Sequence, residues 1–386
     1  MRIGINALYL LPGKVGGTEV YLRRLLEWMP RLAPQHEYVV FLNKESEDAA
    51  LAGKAAEQDV SGGSPLATVR MIKTGVGAIS RPRRLLYEQF RLPALVRDQR
   101  LDVLFNPGFT ASVRCPCPMV TTFHDLQHKR HPEYFKAADL AAWNFFLAAA
   151  ARTSKRILAV SEASAQDFRR YYPGVAAPID VTPLGAGESY FAIGDRRRAS
   201  AVEQAEDVLL CVSTLHPHKN LDRLVRAFAT WRKQSSANTQ LVIAGMRGFF
   251  AERLEETMRD CGATSFVRLT GWISDEELQR LYTKARAFIF PSLFEGFGIP
   301  VVEALASGLA TAVSDIEPMR SHAGDAALCF DPRDEESIVE AIERILQDEP
   351  LRAELCSKAQ KRAELFRWEG TARLTLASLE AAGRRV

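Results

Sequence analysis

Short runs of apolar, β-branched and aromatic residues alternate with longer amphipathic stretches along almost the whole chain, and few folds accept that pattern. In the first half the short runs are 2–10, 37–42, 69–73, 102–105, 119–124, 156–161 and 179–183. In the second half they are 208–213, 241–245, 266–269, 287–291, 311–314 and 327–330. Strand-length runs with helical periods between them predict parallel sheets covered by helices, an α/β fold. The alternation breaks once, over 186–206, where Gly, Arg and Ala dominate and no strand is legible. That break reads as a linker between two Rossmann-like domains, and 386 residues suffice for both. The predicted boundaries are 1–186 for the N-terminal domain, 187–366 for the C-terminal domain, and 367–386 for a closing helix placed to pack back on the first domain. Ser274-Asp-Glu-Glu277 is spaced as a capping box opening a helix through about Lys284.

Charge and hydropathy narrow the function classes. A net charge of +3 is too small to imply nucleic acid. The longest apolar run, 140–151, is interrupted by Asn144 and falls short of the roughly 20 residues a membrane span needs. Residues 2–10 read as a strand rather than a leader, so the expected location is cytoplasmic. Of the six cysteines, Cys115 and Cys117 lack metal or redox spacing, and all six read as buried, reduced thiols. The 81–100 stretch carries six arginines against Glu88 and Asp98, with Leu85, Leu86, Phe90, Leu92, Leu95 and Val96 at near-helical spacing. That pattern suits either a covering helix or a basic amphipathic helix on anionic lipid through Arg81, Arg83 and Arg84.

Ligands of open α/β sheets sit beyond the carboxyl ends of strands, so the residues there are the candidates. Gly16-Gly17 follows the first strand and opens a helix, which suits a bound phosphate. The G-x-G-x-x-G dinucleotide fingerprint is absent. His124 closes the strand 119–124. His124, His128 and His131 lack a carboxylate cluster, which argues against a metal. In the second half, His218-Lys219 lies in a loop after a strand, where a lysine can neutralise a leaving diphosphate. Asn220 is placed to cap the next helix. The most specific stretch is Glu295-Gly296-Phe297-Gly298-Ile-Pro-Val-Val-Glu303. It sets two carboxylates beside a helix start, suited to sugar and ribose hydroxyls. Glu303 lies among apolar neighbours, so a buried carboxylate with a partner is expected.

This Glu-x7-Glu element resembles the signature of the family-four retaining glycosyltransferases. Gly16-Gly17, His124-Asp125-Leu126, Ala159-Val-Ser-Glu162, the 214–220 loop and Thr270-Gly-Trp272 follow the same order. The stretch 124–135 looks most like bacterial mannosyl- and hexosyltransferases of surface polysaccharides. The resemblance implies a GT-B fold, with two Rossmann-like domains facing across a cleft, an N-terminal acceptor side and a C-terminal donor side. It implies a nucleotide-diphospho-sugar donor, GDP-mannose first, a lipid-linked or oligosaccharide acceptor, retention of configuration, and peripheral placement at the inner face of the cell membrane. It assigns the donor ribose to Glu303 and the transferred sugar's hydroxyls to Glu295. The amides of Phe297 and Gly298 would hold sugar or phosphate, Lys219 the diphosphate with Gly17 nearby, and His124 the sugar's reacting face. Two positions depart from the family. His218 stands where it usually has Arg, which lowers leaving-group stabilisation near neutral pH, and Ser321 stands where it often has Glu. Without an Asp-x-Asp motif, the basic loop and helix dipoles would replace a cation, and metal independence is expected. The rival classes are a nucleotide-sugar epimerase, which needs an acid/base pair not evident beyond His124, and a non-catalytic nucleotide-sugar-binding protein.

Overall fold

The computed structural model describes residues 1–13, 15–46, 69–199, 206–235, 237–248 and 250–384. The chain divides into two compact units, one made of Met1–Leu184 with Trp368–Val386, the other of Gly185–Arg367.

Unit 1 holds β1 (Arg2–Ala7), β2 (Glu37–Leu42), β3 (Val69–Lys73), β4 (Val103–Asn106), β5 (Met119–Phe123), β6 (Arg156–Ala159) and β7 (Ile179–Val181). They form one sheet in the order β3-β2-β1-β4-β5-β6-β7, with every pairing parallel. Helices cover it, so β4 and β5 are buried along their whole length, and their polar side chains Asn106, Thr121 and Thr122 find buried hydrogen-bond partners. The helix Trp368–Gly383 belongs to this unit. Its Thr371 donates to the Pro183 carbonyl at 2.6 Å, its Ser378 to Asp180 at 2.7 Å, and its Glu380 meets His36 at 2.9 Å.

Unit 2 holds β8 (Val208–Val212), β9 (Gln240–Ala244), β10 (Val267–Leu269), β11 (Ala287–Phe290), β12 (Ala310–Ser314) and β13 (Ala327–Phe330). The order is β10-β9-β8-β11-β12-β13, again parallel throughout. Its core includes Leu209, Phe228, Trp231, Ile243, Ile289 and Ile342, all buried. The helix Asp275–Lys284 opens with the complete capping box of Ser274 and Glu277.

Three expectations need correction. The 186–206 stretch is not an open linker: a helix runs over Glu188–Ala199, and 200–205 lie outside the described residues. Arg197 in that helix donates to the carbonyls of Tyr282, Thr283 and Ala285 at 2.7, 2.6 and 2.9 Å. Gly194, which made the stretch look like a linker, permits close packing, because a Cβ there would lie 2.3 Å from the Ala306 carbonyl oxygen. The 81–100 stretch is two helices, Arg81–Phe90 and Leu92–Asp98, meeting at Arg91, because Pro93 cannot continue a hydrogen-bonded helix. Leu85, Leu92 and Val96 face the core, and Arg84 is buried with its guanidinium 3.7 Å from the buried Glu88 carboxylate, so Arg84 cannot reach a lipid surface. Of the six thiols only Cys211 is buried. Cys329 is exposed and the other four are half-buried.

Candidate active site

In unit 2 the strand order reverses between β8 and β11, so connections leave these neighbours in opposite directions and their carboxyl ends open a crevice. Lys219 follows β8 and Glu295 follows β11. The fold brings these two residues, 76 apart in sequence, into an ion pair with Lys219 Nζ 2.5 Å from Glu295 Oε1. Ser292 Oγ donates to the same carboxylate oxygen at 2.8 Å. The Lys219 ammonium also stands 5.6 Å from the centre of the Phe290 ring.

Asn220 holds this arrangement, and not as the expected cap. It adopts the left-handed conformation, φ 59°, which asparagine tolerates better than most residues, and its side chain makes no cap bond. Its amide instead donates to the carbonyls of Pro291 at 3.1 Å and Pro332 at 2.7 Å. The Leu293 N–H donates to the His218 carbonyl at 2.7 Å. The loop after β8 is thereby tied to the loop after β11. The His218 ring stacks on His216 with centroids 5.8 Å apart, and burial, then the Lys219 charge, lowers the His216 pKa. Gly245, φ 152°, lets the loop after β9 close on this edge, since a Cβ there would lie 2.1 Å from the Ser213 carbonyl oxygen.

The loop after β11 runs through Gly296, Phe297 and Gly298 into the helix Ile299–Ala306. Gly298 takes φ 86°, a conformation that side chains disfavour. Phe297 is anchored: its ring centroid is 4.3 Å from that of the buried His322, and its carbonyl accepts from His322 Nδ1 at 2.9 Å. Burial lowers the His322 pKa to about 4, so the ring is neutral. The positive end of this helix's dipole favours negative charge nearby. Glu303, on the same helix, is half-buried rather than buried, and one of its partners is a protein group, the Tyr282 hydroxyl at 3.3 Å.

Unit 1 holds the other expected residues at the carboxyl end of its own sheet. His124 follows β5 and is buried, with Nε2 2.7 Å from the Pro107 carbonyl oxygen, so Nε2 carries the proton. Burial lowers its pKa to about 4. The neutral ring packs edge-on against Tyr21 at 4.9 Å and Phe109 at 5.2 Å. Gly16, φ 58°, caps the helix Gly17–Leu32, and Glu19 in its first turn accepts from the Gly13 amide at 2.8 Å and pairs with Arg23.

Sequence reading missed Tyr282, Ser292 and the tethering role of Asn220. Asn220 and Tyr282 act on residues that become neighbours only in the folded unit, so no local spacing announces them, whereas Ser292 lies three residues before Glu295 in the same loop and was within reach of a sequence reading. Trp272, which follows β10, is 69% exposed at the same edge of unit 2.

Comparison with known proteins decides the family. Residues 15–186 match the model described as Glycosyltransferase Family 4, and residues 193–362 match Glycosyl transferases group 1. The chain belongs to this glycosyltransferase family. The glycosyltransferase is 28% identical over 309 residues to O-antigen chain mannosyltransferase B of Escherichia coli, covering 78% of this chain and 81% of that protein. It is also 28% identical over 229 residues to the serotype-specific mannosyltransferase WbdA of Escherichia coli, where the match covers 57% of this chain but only 28% of the longer relative. Sucrose-phosphate synthase from Thermosynechococcus elongatus shares the fold, with a TM-score of 0.76 at 20% identity over 99% of this chain and 98% of that one. The two parallel α/β units are those of the GT-B fold.

Proposed function

We propose that this glycosyltransferase moves a mannosyl group, with retention, from a nucleotide diphosphate donor such as GDP-mannose onto a lipid-linked or oligosaccharide acceptor of a cell-surface polysaccharide. The observation that carries this reading is the Lys219–Glu295 pair at the unit 2 switch point, beside the helix that bears Glu303. A cation and two carboxylates within one crevice fit a diphosphate linked to two hydroxyl-rich groups. Lys219 neutralises the leaving diphosphate, Glu295 accepts from the transferred sugar's hydroxyls, and Glu303 accepts from the ribose. The amides of Phe297 and Gly298 add dipoles toward the phosphates. His124 presents a neutral ring, which suits a hydrogen-bonding contact with the sugar rather than proton donation. The acceptor hydroxyl attacks the anomeric carbon on the face from which the diphosphate departs, and its proton passes to the leaving phosphate oxygen. The mannosyl assignment draws on the named activities of the relatives.

The test is a donor panel: the purified protein, a polysaccharide-primer acceptor, and GDP-mannose set against UDP-hexoses, with product configuration read by NMR. Transfer from GDP-mannose with the α-linkage of the donor kept supports the reading. Transfer from a UDP-hexose alone rejects the donor, and an inverted product rejects the mechanism.

The acceptor reading extends to the membrane. The outer face of the helix Arg81–Phe90 and its approach expose Ile79 (75%), Arg83, Leu86 (57%) and Phe90 (74%) in one stripe, while Glu88 on the same helix is buried. Arg81 and Arg83 remain exposed, and each basic residue near an anionic surface adds about 1 kcal/mol. Sedimentation with anionic vesicles should show binding at low salt that falls at high salt and weakens in Arg83→Ser and Phe90→Ser. Indifference to vesicles at every ionic strength removes the membrane from the proposal.

A further inference from the structure

Cys115 and Cys117 flank Pro116, and Pro118 follows them into β5. The loop is fixed at its end, because the Leu104 N–H donates to the Pro118 carbonyl at 2.9 Å. With one residue between them, the two Cα atoms cannot be more than about 7 Å apart, close to the span a disulfide bridges. The folded loop goes further and turns both side chains together, with the sulfurs 3.8 Å apart. Both thiols pack one side against the unit 1 core and keep the other side accessible, between the exposed Arg114, Pro116 and Pro118. The remaining four cysteines make no such pair among the described residues.

We infer that Cys115 and Cys117 form a dithiol modification site that exchanges with small-molecule disulfides and closes reversibly to an intramolecular disulfide. Either thiol can donate to the other across this contact, so the sulfur that ionises first is held as a thiolate by its neighbour's S–H, Cys115 in one direction and Cys117 in the other. The chemistry balances with a disulfide RSSR, such as oxidised glutathione, as oxidant. In the first direction the Cys115 thiolate attacks one sulfur of RSSR, forming a mixed disulfide and expelling RS⁻. The Cys117 thiol gives its proton to that RS⁻, and the resulting thiolate attacks Cys115 Sγ and expels the second RS⁻, which takes a proton from water. Two protein thiols are oxidised and one RSSR is reduced to two RSH. Closing the bridge shortens the sulfur separation from 3.8 Å to about 2 Å within a small proline-containing ring. Strained, accessible disulfides of this kind are readily reduced, so the closed form is transient in a reducing compartment. The site lies at the amino end of β5, the opposite end from His124, and stands independently of the proposed sugar transfer.

The experiment treats the full-length protein with oxidised glutathione and follows each cysteine by peptide mass mapping. The expected result is a Cys115–Cys117 peptide lighter by about 2 Da with no glutathione attached, formed at least about ten-fold faster than glutathione adds to the exposed Cys329 and reversed by dithiothreitol. In Cys117→Ser the reaction should stop at a stable glutathione adduct on Cys115. In Cys115→Ser it should likewise stop at a stable glutathione adduct on Cys117. Should either variant misfold, the wild-type map alone decides. The inference is overturned if Cys329 reacts first while both loop thiols stay free, or if the loop thiols each end with a stable glutathione and no bridge.

Discussion

Lys219→Met tests the centre of the proposed chemistry, because the structure separates what it costs in stability from what it costs in rate. The substitution keeps most of the side-chain volume against Phe290 and removes the ammonium. In the folded protein without donor, the loss is one charge-assisted hydrogen bond to Glu295, worth about 1.5–3 kcal/mol. Both side chains retain some exposure, 14% and 10%, and Ser292 still serves the carboxylate, so the lower part of that range applies. A cycle with Glu295→Gln and the double variant, read by urea unfolding, should return a coupling of about 1–2 kcal/mol. The rate should suffer more, since Lys219 meets charge that develops as the diphosphate leaves. Turnover at saturating donor should fall on the order of 100-fold or more in a protein whose fold is intact. Turnover within about three-fold of wild type in the folded variant would refute the assignment of Lys219 to the leaving group. A coupling near zero would show that the ion pair does not set the resting geometry.

Four further outcomes are expected. Glu303→Gln should raise the donor KM by roughly ten-fold or more, from loss of about 1.5–3 kcal/mol of charge-assisted binding, with little change in unfolding midpoint; an unaltered KM contradicts its ribose role. Gly298→Ala forces a side chain into φ 86° and against Met319, so a strain of roughly 1–2 kcal/mol should shift the helix-start amides and lower kcat/KM several-fold, and unchanged kinetics would show those amides are not used. His124 and His322 have folded pKa values of about 4, below the ordinary 6.5, so the unfolded chain binds more protons between those values, and stability should be full above pH 6.5 and fall as pH drops toward 4, by at most about 3 kcal/mol for each ring; flat unfolding midpoints across that window would count against their burial as neutral rings. Transfer should persist in excess EDTA, and complete loss restored by a divalent ion would reveal a metal requirement that the proposed mechanism lacks.

Much of the architecture was legible before any coordinates. The thirteen strands among the described residues lie where the apolar runs are, with ends displaced by at most three residues, because a buried parallel strand is mostly apolar on both faces and so marks itself locally. The capping box at Ser274 is equally local, a reciprocal bond across three residues. The Glu295-to-Glu303 element could be recognised because its spacing lies within one loop and one helix. Other features misled for equally physical reasons. Gly194 looks like a linker residue in the sequence and is a close-packing residue in the fold. Arg84 looks like part of a basic face, yet position within the helix turns it inward onto Glu88. Cys115 and Cys117 have no recognised spacing, and only the conformation of their loop sets the sulfurs 3.8 Å apart. Periodicity by itself thus determined the fold class, because burial of a strand or a helix face constrains residues that are near in sequence. The tertiary structure alone decided that Lys219 meets Glu295, that Asn220 ties two loops, and that Tyr282 reaches Glu303. Those contacts depend on β8 lying beside β11 and on the packing of separate helices, and hydrogen bonds between distant residues leave no period in the chain.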